Sequence, residues 1–244
     1  MLIKKHSLSI FPLIRSCLNP SSSSLSVFGD NRSSSSSGDS SGAKFLASSS
    51  ILSLSAARAS SMSKISDAIL SAMKIGSLII AGRPGIFSGG FDLKTLGSGD
   101  VDEIIKMVTL GYETLLTLYS FPRPIIAAVP GHSVALGIFV TCCADYRIAI
   151  DGEYICQANE VRNNMDIPTS MMQIAASRIS KKHVYSVLLH ADPYPFPKAV
   201  DAGIIDELVD ESNFEARVME KAIDLATLGH PHYEKTKNAY IADD

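Results

Sequence analysis

The residues best suited to chemistry cluster where the chain changes periodicity. A β-branched run, Ile125-Ile126-Ala127-Ala128-Val129, ends at Pro130-Gly131. The apolar stretch of small residues that follows, with Ser133, Ala135 and Gly137 near its start, reads as a buried helix running to Ala144. A strand, a tight turn and a helix N-terminus in that order leave the first helical N–H groups unpaired at the positive end of the helix dipole, where an anion or a developing oxyanion can be held. One side-chain reading takes Gly131-His132-Ser133-Val134-Ala135 as a nucleophile elbow, with Ala135 in place of the last glycine and with Asp206 and His230 or His232 following in triad order. This serine-hydrolase alternative lacks an HGGG-type oxyanion loop and enough preceding strands. A backbone reading instead joins the turn to the loop Gly82 to Gly90, whose four glycines let main chain approach a ligand closely. If the two strand-to-helix junctions face each other, two N–H groups converge on one oxygen and stabilise an enolate or a tetrahedral oxyanion. The loop has no Gly-Lys-Ser/Thr ending and does not match G-x-G-x-x-G, so it is a weak nucleotide signal.

The elements that must position these groups alternate between strand and helix. Ile65, Ile69, Ala72 and Met73 share one helical face, and Ser77 to Ala81 reads as a buried strand. Ile104, Ile105, Val108, Tyr112, Leu115, Leu116 and Tyr119 make the apolar stripe of an amphipathic helix over Val101 to Tyr119. Tyr146 to Ile150 and Tyr154 to Cys156 look like short strands, and Pro168 opens a helix through Ile179. A Pro-rich break at Asp192 to Pro197 precedes a short helix, the apolar run Gly203-Ile204-Ile205, and helices around Phe214 to Leu228 and Pro231 to Tyr240. The pattern is α/β with short, mostly buried strands.

Composition removes several function classes. The net charge is -3, and after residue 60 the basic residues cluster only at Lys181-Lys182, so there is no footprint for nucleic acid. Cys17, Cys142, Cys143 and Cys156 lack metal-site spacing and read as structural thiols in a reducing compartment. Pro124 to Ala144 is long and apolar enough to suggest a membrane span, but Pro130-Gly131 divides it into a core strand and a core helix. Residues 1–62 are Ser-rich and acid-poor, which resembles an organelle transit segment and suggests a mitochondrial or plastid address. A low-complexity tail on a cytoplasmic protein is the alternative. The ordered parts are then a core over residues 63–210 and a helical region over residues 211–244.

Four stretches carry a family resemblance. Phe87-Ser88-Gly89-Gly90-Phe91-Asp92-Leu93-Lys94 and Pro124 to His132 are similar to the two signature segments of the crotonase superfamily, also called enoyl-CoA hydratase/isomerase. Ala144-Asp145-Tyr146-Arg147-Ile148-Ala149 and Ala199 to Asp206 resemble two later ones, in the right order. The resemblance implies a crotonase-like spiral of ββα turns with C-terminal helices, its first turn incomplete because Ser-rich sequence fills the usual place of the opening strands. It implies an acyl-CoA thioester as substrate, no further cofactor and no metal, and assembly as a homotrimer or hexamer.

Residue by residue, the resemblance assigns the two oxyanion N–H groups to Phe91 and Leu136. It lines the acyl-CoA site with Ser88, Gly89, Gly90, Asp92, Leu93 and Lys94. Hydratases of the family carry two glutamates; here the first position holds Phe139 and the second holds Glu160, so a single carboxylate remains. That favours 3,2-enoyl-CoA isomerisation over hydration, with a non-catalytic acyl-CoA-binding protein as the competing class. Glu153 is the rival base. His132 reads as a turn histidine bonded to nearby backbone, and Asp92 and Asp145 as caps or turn anchors.

Overall fold

Short apolar runs that are buried on both faces pair best as parallel strands covered by helices, and three such runs form the centre of the molecule. The computed structural model describes residues 76–242; the Ser-rich segment and the helix expected from Ser63 to Lys74 lie outside these. Strands β1 (Leu78–Ala81), β3 (Ile125–Val129) and β5 (Tyr146–Ile150) lie parallel in one sheet, with β8 (Glu207–Val209) beside β5. Successive side chains alternate between its faces. Ile79, Ile126 and Ile148 pack against Phe214, Val218 and Ala222 of the amphipathic helix α6 (Phe214–Ala226) on one side. Leu78, Ile80, Ile125, Ala127, Val129 and Ala149 join the larger core on the other.

A second sheet runs β2 (Gly85–Ser88), β4 (Gly131–Val134), β6 (Ile155–Gln157) and β7 (Tyr194–Pro195), the first three parallel and the last antiparallel. Three successive turns, β1–β2, β3–β4 and β5–β6, each give one strand to each sheet before a helical segment, which is the ββα spiral; in the last, a helix separates β7 from β8. The sequence reading places a loop at Gly82 to Gly90 and a helix directly after Pro130-Gly131. Both contain a strand instead, and helix α3 begins only at Leu136 (Leu136–Cys143). These strands have no apolar alternation of their own; pairing between Gly85-Ile86 and Gly131-His132 creates them.

Helix α1 (Leu93–Leu96) is capped by Asp92, whose carboxylate accepts from the Thr95 N–H at 3.0 Å. Helix α2 (Val101–Tyr119) is capped by Asp100 and carries Asp102 and Glu103 in its first turn, where the dipole favours negative charge. Its buried face is Met107, Gly111, Leu115 and Tyr119, rotated from the expected stripe: Ile105 and Leu116 are exposed. The centre of that face is a glycine, which gives no apolar signal. Helix α3, buried at every position, packs against α2 and against α4 (Thr169–Ala176). Helix α5 (Phe196–Asp201) follows β7.

Two ion-paired clamps hold the scaffold, and both fall in the later signature stretches. Arg147 on β5 donates to Asp206 through Nε at 2.7 Å and Nη2 at 2.6 Å, and through Nη1 to the Gly203 carbonyl at 3.0 Å. Asp145 accepts from the Ile125 N–H at 2.8 Å and from Lys237 of helix α7 (His232–Ala242) at 2.9 Å, with Arg178 3.5 Å away. Arg178 also donates to the Cys142 carbonyl in the last turn of α3, so two cations meet one carboxylate and the negative end of a helix. Among the described residues, no helix is long and apolar enough to cross a membrane, and no cluster of His, Cys, Asp and Glu is placed to hold a metal ion.

Candidate active site

Parallel α/β sheets offer a crevice at the carboxyl ends of their strands. Ser88, Ser133 and Cys156 stand in one row across β2, β4 and β6. Beyond that row the three strands lead to Phe91, Leu136 and Glu160 respectively, so three consecutive turns of the spiral deliver the three leading candidates to one end of one sheet.

The two backbone positions are close neighbours. Gly90 has φ +94°, and a Cβ built on it would stand 2.7 Å from the Ala135 Cβ and 3.4 Å from the Leu136 nitrogen. Only a residue without a side chain turns the main chain this close to the start of α3. The Gly90 N–H donates to the Ser88 Oγ at 3.2 Å, which leaves the next N–H, that of Phe91, beyond the turn. Leu136 is the first residue of α3, so its N–H has no intrahelical acceptor. Ala135 before it adopts φ 51° and ψ -128°, a conformation that costs a side-chain-bearing residue of order 1–3 kcal/mol, and is held by its N–H to the Gln157 carbonyl at 2.9 Å.

Glu160 is 6 % exposed, and its Oε2 has no hydrogen-bond partner among the described residues. Its carbonyl accepts the N–H groups of Asn163 and Met165 at 2.8 and 3.0 Å, fixing it at the head of a one-turn 3-10 helix, Val161–Asn163. Burial raises the Glu160 carboxyl above the ordinary carboxylate range. The Tyr112 phenol is raised too, by burial and then by the negative charge of Glu160. Tyr112 in turn meets the Phe91 ring edge-on, at 6.4 Å between centroids. A buried carboxylate with one oxygen lacking a partner among the described residues, close enough to Tyr112 for its charge to act on the phenol, is equipped to take up and return a proton.

The other candidates separate cleanly. Phe139 is fully buried in the core and offers no proton-transfer group. Glu153 is exposed on the turn entering β6, at the opposite end of that strand from Glu160. His132 accepts the Ile155 N–H through Nδ1 at 3.2 Å, as a turn-type histidine would. Ser133 is fully buried, and its hydroxyl pairs with that of Thr141 at 2.9 Å. Asp206 is engaged by Arg147 and the Ser133 hydroxyl by Thr141, so neither is free for His230 or His232 and the elbow's triad does not assemble. In the Ser88 to Lys94 segment, Ser88 and Asp92 direct their side chains to local bonds with Gly90 and Thr95, and Thr95 holds the Asp92 carboxyl below its usual range. Gly89 is exposed, Gly90 buried, and Leu93 and Lys94 stand out from α1 into solvent. Burial pushes the Cys142 thiol up to about 11 and raises Cys143 and Cys156 as well, which fits structural thiols. Sequence reasoning missed Gly111 and Ala135; a glycine in the middle of an amphipathic helix was the available signal for the first.

A family model described as enoyl-CoA hydratase/isomerase matches residues 53–243. The chain belongs to the enoyl-CoA hydratase/isomerase family. Among solved enoyl-CoA hydratase/isomerase structures, it is similar to a probable enoyl-CoA hydratase, EchA3, from Mycobacterium tuberculosis H37Rv. The TM-score is 0.69 and the identity 34 %, over 75 % of this chain and 78 % of that one. The human mitochondrial delta3-delta2-enoyl-CoA isomerase shares the fold, with a TM-score of 0.68 at 20 % identity over 74 % of this chain and 72 % of its own. Enoyl-CoA delta isomerase 3 of Arabidopsis thaliana is 27 % identical over 158 residues, 63 % of this chain and 66 % of the relative. The chain spans about half to two thirds of the length of the curated enoyl-CoA isomerases it matches.

Proposed function

We propose that this protein isomerises 3-enoyl-CoA thioesters to 2-enoyl-CoA thioesters. The carrying observation is a buried carboxylate, Glu160, at the strand ends that also lead to Phe91 and Leu136; the family resemblance adds that Phe139 takes the position of the first of the hydratases' two glutamates. The thioester oxygen sits between the two N–H groups. Glu160 removes a proton from C2, the electron pair spreads into a dienolate whose charge rests on that oxygen, and the same carboxyl returns the proton at C4, leaving the double bond between C2 and C3. A single base suffices because no water is added. Its raised affinity for protons suits this: the carboxylate is basic enough to take the proton, and burial favours the resulting neutral acid until it gives the proton back.

The exposed Leu93 and Lys94 on α1 are the side chains that meet the coenzyme A portion, while Ser88, Gly89, Gly90 and Asp92 shape the main chain beneath it. The chemistry needs no cofactor beyond the thioester. Assembly as a trimer or hexamer, and a mitochondrial or plastid location, complete the reading. The test is incubation of the purified protein with a 3-enoyl-CoA and, separately, a 2-enoyl-CoA, beside Glu160→Gln. Conversion of the first without hydration of the second is expected, with the variant inactive. Unchanged isomerisation by Glu160→Gln would remove Glu160 from the mechanism. Water addition to the 2-enoyl substrate would identify a hydratase, and calorimetric binding of acyl-CoA without turnover a binding protein.

A further inference from the structure

We propose that Gly111 is a positioning residue for the oxyanion hole: the space left by its missing side chain seats the Phe91 ring and, through it, aims the Phe91 N–H. The inference rests on the reading of Phe91 and Leu136 as the hole. Gly111 stands in the middle of α2, where glycine costs about 1 kcal/mol relative to alanine, so its presence there calls for a packing reason. A Cβ built on Gly111 would collide with Cε1 of Phe91, stand 2.6 Å from its Cζ, and lie 3.5 Å from Cδ2 of Leu136. One position on one helix therefore receives the side chains of both residues whose N–H groups form the hole. Tyr112, next along α2, closes the edge of the Phe91 ring. The bulk of Phe91 is thus drawn onto α2, and its main chain, between Gly90 at φ +94° and the cap residue Asp92, keeps one orientation.

The size of the effect follows from the contact. Carbon atoms rest at about 3.5–4.0 Å, so a methyl group at position 111 drives the ring back by about 1 Å. A misplacement of about 1 Å at a reacting centre can cost about a hundredfold, and loss of an oxyanion donor about a hundred- to a thousandfold. Gly111→Ala is expected to lower kcat about ten- to a hundredfold with little change in KM. It should fold, because the atoms that must move are the far end of one half-buried ring.

A spectroscopic readout separates aim from stability. A saturated acyl-CoA labelled with 13C at the thioester carbonyl cannot react, and its infrared stretch moves to lower wavenumber when two N–H groups polarise the oxygen. The wild type should produce that shift. Gly111→Ala should bind the thioester by calorimetry yet give a smaller shift. Phe91→Ala should also give a smaller one, because the N–H is retained without its anchor. Adding Gly111→Ala to Phe91→Ala should then change the shift and kcat less than twofold. A wild-type shift and kcat in Gly111→Ala overturns the proposal, and if that variant fails to fold, the same result in Phe91→Ala overturns it. Absence of any shift in the wild type with bound thioester would instead refute the oxyanion hole itself, and the positioning role with it.

Discussion

Glu160→Gln should move activity and stability in opposite directions, and this is the sharpest consequence of the Glu160 environment. Glutamine keeps the shape of the side chain and removes both the charge and the base. General base catalysis by a placed side chain contributes about 10²–10⁴-fold, so kcat should fall by at least that range, about 3–5 kcal/mol in barrier height. Stability should rise. A buried neutral group without a partner costs about 1–3 kcal/mol and a charged one more, and Glu160 Oε2 has no partner among the described residues. The amide should therefore gain about 1 kcal/mol or more over the ionised carboxylate.

The pH dependence of that gain has a definite sign. The Glu160 carboxyl binds its proton more tightly folded than unfolded, where the ordinary value is 4.5, because burial raises it. Wild-type stability accordingly falls as pH rises from that ordinary value through the raised one, and levels off above it. The gain from Glu160→Gln is full above the raised value and shrinks as pH falls through it, while wild-type isomerisation fades over the same interval as the base becomes protonated. Urea denaturation of both proteins across pH 4 to 9, beside kcat/KM profiles, reads each effect. A Glu160→Gln protein that is less stable than wild type at every pH would refute the description of Glu160 as a buried carboxylate lacking compensation.

Three further outcomes are expected. Asp145→Ala leaves Lys237 and Arg178 without their shared carboxylate, with side-chain exposures of 7 % and 21 %, and should cost about 3–5 kcal/mol. A drop in the urea midpoint at constant m-value is the readout, and a loss under about 1 kcal/mol would contradict the clamp. Arg147→Lys cannot reproduce the two-pronged contact with Asp206 and should lose about 1.5–3 kcal/mol by thermal denaturation, despite keeping the charge. A fluorophosphonate probe should leave Ser133 unlabelled in the folded protein, because its hydroxyl is fully buried against Thr141; labelling there would reopen the hydrolase reading.

Much of the scaffold was legible because it follows from periodicity. The runs Ile125–Val129 and Tyr146–Ile150 are strands buried almost throughout, and Val101–Tyr119 is a helix over its expected length. What sequence pattern could not supply were the strands Gly85–Ser88 and Gly131–Val134. They are short and glycine-bearing, without a run of apolar residues, and exist because each completes the other's hydrogen bonds. The helix face was misjudged for a related reason: Gly111 contributes no hydrophobicity, yet it lies at the centre of the buried side because a residue twenty positions earlier fills its space. The glutamate at 160 was reached through family resemblance, while its isolation and its nearness to Tyr112 are products of tertiary packing. The turn histidine and serine, prominent in sequence, proved to be a backbone acceptor and an internal hydroxyl.

The pairing of β2 with β4 carries a consequence for what natural variation can do to this site. The proposed donors lie three residues beyond the row in which Ser88 pairs with Ser133, so the gap between them starts from the repeat of a β-sheet, about 4.8 Å. Two N–H groups that each reach one oxygen at about 2.9 Å can stand no more than about 5.8 Å apart. The strand spacing starts the two N–H groups within that range, and the seating of Phe91 on Gly111 then sets their aim. Side chains at 91 and 136 are then at liberty to become large, as they have here, provided somewhere else in the fold makes room for them. A change of size at 91 or 136 is therefore coupled to the residue that receives the side chain, as Phe91 is to Gly111, while the paired strands set where the two donors begin.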